Sequence, residues 1–269
     1  MLNFVFCRHG NSCGNVSNAL GVDLDYADPS LTHYGIEGAK YNAPRITRWL
    51  RGKGILQVDM ICTSLLLRTM DTAYAMFPEY NSRFAVYPYL RELDESGKRR
   101  DLQTIASYMY SGRGNQKMTM DRIGLPSHVV DYSLLDKIDR KEFNKPGDIQ
   151  KFIEFFKARN RDAILKGQKA GYDSTILCFT HAGVIKDMQR RLGEKNPGMP
   201  NCGVILLQQD SIDDTDYEYD KLYPADIDYK KYATHEYLCP SNRCPGLCEK
   251  IVPVSKTPFR LKPFPARFV

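Results

Sequence analysis

Residues 2–10, LNFVFCRHG, decide the fold. The apolar run 2–7 reads as a strand, and it runs straight into Arg8-His9-Gly10, so the chain opens on a strand that ends at a histidine. In open α/β sheets, ligands bind at the carboxyl ends of the strands. A histidine there, between a permanently charged arginine and a glycine that lets backbone approach closely, suits phosphate chemistry. Taken alone, the three residues describe a strand stopping in a charged turn equally well.

Working outward, residues 10–30 are rich in Asn, Asp and Gly and read as a polar loop. Thr32 suits a helix cap, and Ile36, Ala39, Ala43, Ile46 and Leu50 follow at helical spacing. Pro44 within that pattern predicts a kink or a break, and Gly52 and Gly54 predict the end. Residues 58–62 read as a short buried strand, 65–77 as a helix stopped by Pro78, and 85–89 as a brief strand. From about 94 to 145 the chain is polar and weakly periodic, with Gly112-Arg113-Gly114, which reads as an inserted, partly helical cap. Pro146 then opens a helix in which Ile149, Phe152, Ile153 and Phe156 share a face. A buried strand over 174–179 ends in Thr180-His181-Ala182-Gly183, a helix covers about 184–192 before Gly193, and 204–208 is one more strand. Strands alternating with helices imply an α/β fold: a three-layer α/β/α sandwich on a mostly parallel sheet. Residues 1–208 form the expected catalytic domain, cap included, and 209–269 a C-terminal extension with an acidic run (210–220), a cysteine-rich patch and a basic, Pro-rich end.

The chain has 269 residues, 42% of them hydrophobic and 26% charged, which is enough for a sizeable core in a soluble protein. A formal charge of +6 is too modest to argue for nucleic acid but favours anionic small substrates. No stretch reaches the roughly 20 apolar residues of a membrane span. The start also lacks a signal peptide, so a cytoplasmic, reducing setting is expected. Cys7, Cys62 and Cys178 lie in apolar runs and read as buried free thiols. In the extension, His235, Cys239, Cys244 and Cys248 have zinc-ligand types at loose spacing; free thiols or a redox-dependent disulfide are the other reading.

The chemistry converges on four elements, each at or just after a strand's carboxyl end: Arg8-His9-Gly10, residues 64–68 with Arg68, Glu92, and His181. Two histidines and two arginines in one cleft make a pocket for a dianionic phosphoryl group, each charge-assisted bond contributing roughly 1.5–3 kcal/mol. A neutral imidazole can attack phosphorus, fixed cations can take the developing charge, and a carboxyl can protonate the leaving oxygen. His33 and His128 read as exposed, and Lys98-Arg99-Arg100 as either a solvated basic helix start or a grip on a second phosphate.

Five segments in order resemble the histidine phosphatase superfamily, phosphoglycerate-mutase-like branch, over roughly residues 1–208. Residues 8–12 with Asn15 are similar to its Arg-His-Gly-Glu-Ser signature and trailing Asn, with Asn11 in place of the glutamate. DPSLTHYGIEGA (28–39), TSLLLRTMDTA (63–73), LRELDESG (90–97) and THAG (180–183) resemble the segments that follow. The resemblance implies His9 as nucleophile, Arg8, Arg68 and His181 as the phosphate pocket, Glu92 as proton donor, Asn15 as an auxiliary contact, and no metal or other cofactor. It implies a phosphorylated small molecule or a phosphoprotein as substrate. A phosphatase is the expected activity. A phosphoglycerate-mutase-type transfer is the alternative, disfavoured because residues 92–97 lack that enzyme's Glu-Arg-x-Tyr-Gly stretch. A non-catalytic phospho-ligand-binding relative is disfavoured because all four core residues are retained.

Overall fold

Residues 2–7 are all buried, and their side chains part to two sides of one strand, β1 (Leu2–Arg8). Phe4 and Phe6 enter one apolar cluster, Val5 and Cys7 the other. That alternation without a polar face is what a central strand between two helix layers requires. A computed structural model describes residues 1–21, 28–93, 114–139, 142–143, 145–225, 242–245 and 247. Its sheet has seven strands: β1, β2 (Met60–Thr63), β3 (Phe84–Val86), β4 (Val130–Asp131), β5 (Ser174–Thr180), β6 (Val204–Gln209) and β7 (Glu218–Leu222). They lie in the order β4-β3-β2-β5-β1-β6-β7, parallel from β4 to β1, with the pairs β1–β6 and β6–β7 antiparallel.

Six α-helices are found among the described residues: α1 (Cys13–Leu20), α2 (His33–Gly52), α3 (Leu67–Met76), α4 (Gly114–Ile123), α5 (Ile149–Lys169) and α6 (Ala182–Arg191). On one face of the sheet, Ala39, Ala43, Ile46 and Leu50 of α2 pack with Val5 and Cys7. On the other, Phe152 and Phe156 of α5 stand edge-on to Phe4 at 6.3 and 5.8 Å between ring centres, with Val184 and Ile185 of α6 in the same cluster. The arrangement is the expected α/β sandwich with a mostly parallel sheet.

Several local expectations change. The stretch expected to be loop contains α1, started by Ser12, whose side chain accepts from Asn15 N–H while Asn15 caps Ser12 in return. Such a capping box stabilises a short helix that carries little apolar periodicity. Pro44 does not break α2; the helix is continuous through it. The carbonyl that Pro44 cannot serve, on Lys40, belongs to an exposed residue, where water can satisfy it. Part of the expected cap, residues 130 and 131, adds β4 to the sheet edge, while 94–113 lies outside the described residues. The sheet also runs past 208, because β7 pairs with β6. Cys7, Cys62 and Cys178 are buried and free, whereas Cys244 forms a disulfide with Cys13 and is not a zinc ligand. His235, Cys239 and Cys248 lie outside the described residues. No helix among the described residues is long and apolar enough to cross a membrane.

One contact locks α2 to the loop after β1. A Cβ built on Gly35 would lie 2.0 Å from the carbonyl oxygen of Asn11, whereas one on Gly38 meets nothing within 4 Å. Gly35→Ala is therefore expected to lower the unfolding free energy by about 1–3 kcal/mol. Gly38→Ala, one turn along the same helix, should raise it by about 0.5–1 kcal/mol. Denaturant melts of the two variants read the difference; effects of the same sign contradict the close approach.

Candidate active site

The register of β1 against β5 builds the site. Leu2 faces Ser174 and the pairing runs unbroken to Arg8 opposite Thr180, so His9 and His181 leave the sheet side by side. His9 N–H donates to the Thr180 carbonyl at 3.0 Å, and the two imidazole centres stand 5.2 Å apart. On the far side of β5, Thr63 pairs with Phe179, which delivers Ser64 to the same end. Ser64 Oγ lies 3.0 Å from His181 Nε2 and 3.0 Å from Thr69 Oγ1.

His9, Arg68 and His181 are buried, whereas Arg8 and Glu92 are half-buried. His9 Nδ1 lies 2.7 Å from the Gly10 carbonyl oxygen. A carbonyl only accepts, so Nδ1 carries the proton and Nε2 keeps its lone pair. Burial above all, then the charges of Arg68 and Arg8, push the His9 imidazole well below its ordinary pKa, with the Gly10 bond opposing. Burial, Arg68, His9, Arg8 and Arg91 do the same to His181. Both rings are therefore neutral at pH 7. Among the described residues, Nδ1 of His181 and Nε of Arg8 are buried and make no hydrogen bond. Buried polar atoms left unpaired at a strand end mark a site shaped for a ligand that binds there.

Glu92 follows β3 by way of Tyr89, whose φ of 65° turns the chain back toward the sheet. Its Oε1 accepts from the N–H groups of Leu93 (3.0 Å) and Gly183 (2.9 Å), the latter in the first turn of α6. Helix N-termini favour such anions. The glycine of Thr180-His181-Ala182-Gly183 is needed for space, since a Cβ there would come within 2.5 Å of Glu92 Oε1. Asn15 lies at the edge: its Oδ1 accepts from Ser12 N–H at 3.0 Å and from Asn201 Nδ2 at 3.3 Å.

The segment 28–39 serves as scaffold. Asp28 Oδ1 accepts from Leu67 N–H at 2.8 Å, capping α3, whose own N-cap, Leu66, offers no side-chain bond. Thr32 caps α2 and also donates to Asn11 Oδ1 at 2.9 Å. Three residues were missed in the sequence. Arg91 is buried and electrostatically felt by His181. Asn201 donates to the His9 carbonyl at 2.8 Å, and the Met199 carbonyl accepts from Arg8 Nη1 at 2.7 Å. Arg91 adjoins Glu92 in sequence, and that adjacency is its only local signal; the turn at 199–203 carries none. Lys98-Arg99-Arg100 lies outside the described residues; His128 is exposed as expected, while His33 is half-buried rather than exposed.

No family model matches the sequence, and no curated protein matches it. The chain is similar to several solved structures of phosphatases. One is a phosphoserine phosphatase mutant from Entamoeba histolytica in complex with phosphoserine, 19% identical, covering 77% of this chain and 91% of that one, with a TM-score of 0.39. Another is a mycobacterial glucosyl-3-phosphoglycerate phosphatase in complex with VO3, 18% identical, covering 83% and 99%, with a TM-score of 0.46. A third is the protein histidine phosphatase SixA complexed with tungstate, 13% identical, covering 82% and 97%, with a TM-score of 0.44. At these values the chemistry here rests on the chain's own residues.

The neutral histidine pair has a measurable consequence. Below about pH 6.5 histidines of the unfolded chain take up protons that the folded site refuses, so the unfolded state holds more protons and stability falls as the pH is lowered. The slope is expected to approach ~1.4 kcal/mol per pH unit for each histidine. Denaturant melts between pH 7 and 5 measure it, and His9→Asn/His181→Asn should lose it. A wild-type stability that is flat or rises on acidification contradicts the buried neutral pair.

Proposed function

We propose that the protein is a phosphatase that hydrolyses a phosphomonoester through a phosphohistidine on His9. The observation that carries this reading is the committed tautomer. With Nδ1–H given to the Gly10 carbonyl, Nε2 is the one free lone pair of a buried, neutral imidazole among arginines. That combination is what nucleophilic attack on phosphorus needs.

In this reading the phosphoryl oxygens lie against Arg8, Arg68 and His181, with Asn15 supplying an auxiliary contact through its amide nitrogen. The two buried donors without partners, Arg8 Nε and His181 Nδ1, gain acceptors on binding. For His181 this assigns the proton to Nδ1 and makes Ser64 Oγ the donor to Nε2. His9 Nε2 forms a bond to phosphorus as the bond to the ester oxygen breaks, and Glu92 gives that oxygen a proton. Oε1 of Glu92 is engaged by two backbone N–H groups, which leaves Oε2 as the oxygen that passes the proton when Glu92 enters the step protonated. In the second half, Glu92 takes a proton from water, the hydroxide oxygen attacks phosphorus, the P–N bond breaks and phosphate leaves. The fixed cations stabilise charge on the equatorial oxygens in both steps without reorganising. No residue in this scheme requires a metal or organic cofactor. Substrates are a small phosphorylated metabolite or a phosphoprotein.

Replacing His9 by Ala should abolish turnover of p-nitrophenyl phosphate while tungstate still binds; turnover at the wild-type rate rejects the nucleophile. Glu92→Gln should slow alkyl phosphates by about 10²–10⁴-fold and activated aryl phosphates far less, because a good leaving group needs no proton. Equal slowing of both classes removes Glu92 from the acid role. Prolonged chelation should leave the rate unchanged, and loss of activity reversed by a divalent cation contradicts the scheme.

A further inference from the structure

Residues 243 and 244 are fastened to the elements that carry the site. Cys244 is bonded to Cys13, the first residue of α1, across 231 positions of sequence. Beside it Arg243, 8% exposed, donates from Nη1 to Asp71 Oδ2 and from Nη2 to the Ile123 carbonyl, both at 2.7 Å. The Arg243 carbonyl accepts from Ser30 Oγ at 3.2 Å. Asp71, 3% exposed, lies on α3 one turn after Arg68, and its Oδ2 also accepts from Leu31 N–H at 3.1 Å. The next residue, Thr72, donates to the Arg68 carbonyl at 2.6 Å and accepts from Gly10 N–H at 2.9 Å. The Arg243 guanidinium thus neutralises the carboxylate that ties α3 to the 28–32 loop. The same turn of α3 braces both Arg68 and the backbone beside His9.

We propose that Arg243 is a positioning residue for the oxyanion pocket, held on Asp71 by the Cys13–Cys244 disulfide, so that reducing this disulfide weakens anion binding at the site. The inference builds on the phosphatase reading for its turnover measurement alone. Reduction by a dithiol balances simply: the S–S bond takes two electrons and two protons, Cys13 and Cys244 become thiols, and the dithiol closes to its own disulfide. The tether matters because it keeps the guanidinium at a high effective concentration beside Asp71. Without it, Asp71 is a buried carboxylate facing a partner free to leave, and breaking such a pair is far costlier than removing both charges. Asp71 must then recruit water or a proton, and the turn holding Arg68 and Gly10 shifts with it. Pocket geometry is sensitive to displacements of an ångström.

The test uses the full oxidised chain, with tungstate as the anion in isothermal titration and p-nitrophenyl phosphate for turnover, before and after dithiothreitol. Peptide mapping follows the disulfide. Reduction should raise the tungstate Kd and the KM together, by on the order of tenfold to a hundredfold, with a smaller change in kcat. Cys244→Ser should give the reduced values with or without dithiothreitol. Arg243→Met should reproduce them with the disulfide intact, and Asp71→Asn/Arg243→Met should regain most of the loss. If Arg243→Met does not fold, Arg243→Lys, which keeps the charge but not the fork, should fall between wild type and the reduced protein. An unchanged Kd on reduction overturns the inference, as does a dithiothreitol response that persists in Cys244→Ser or a double variant no tighter than Arg243→Met. If the oxidised protein binds tungstate yet hydrolyses no aryl phosphate, the phosphatase reading fails while the binding measurements still decide the inference.

Discussion

The rest of the structure depends on one backbone hydrogen bond, from His9 N–H to the Thr180 carbonyl. It is the rung that follows the register pair Arg8–Thr180, and it sets His9 against His181. Strand pairing has a period of two, so a slip of one residue would turn both histidines toward opposite faces. The register is fixed from below by the two-faced core. Phe4 and Phe6 pack in the cluster that holds α5 and α6, and Val5 and Cys7 in the one that holds α2. Packing energy is thereby converted into positional accuracy at the strand ends.

That accuracy is spent on an electrostatically unfavourable arrangement. Arg8, Arg68 and Arg91 converge on two imidazoles that burial and charge together keep neutral, with Glu92 as the nearby carboxylate. The cluster survives because it is braced from outside. Met199 and Asn201 hold Arg8 and the His9 carbonyl, Asp28 caps the helix bearing Arg68, and Thr72 links that helix to Gly10. Local strain of this kind, repaid elsewhere in the fold, is characteristic of functional sites. An anionic ligand would relieve the repulsion and supply acceptors for Arg8 Nε and His181 Nδ1.

Much of this was legible in the sequence, and the reasons differ by element. β1 and β5 are continuous apolar runs ending in histidine motifs, so position and role could be read together. α2 and α5 carry strong helical periodicity, with the cap at Thr32 read correctly, whereas α5 starts at Ile149 behind an Asp148 cap and not at Pro146. α1 was invisible because its stability comes from a reciprocal cap at Ser12 and Asn15 rather than from an apolar face. Arg243 and Asn201 act across more than 170 residues of sequence, and contacts at that range leave no local pattern. Eight cysteines admit too many pairings for Cys13–Cys244 to be deduced from spacing.

The proposed chemistry turns on one atom, Nε2 of His9. Alkaline quenching of the enzyme during turnover of p-nitrophenyl phosphate, followed by 31P NMR and peptide mapping, tests it most directly. The expected product is a phosphoramidate on His9 with phosphorus bound to Nε2, because Nδ1 is occupied by the Gly10 carbonyl. Phosphate found on Nδ1, on another residue, or on no residue while turnover proceeds at full rate would contradict it.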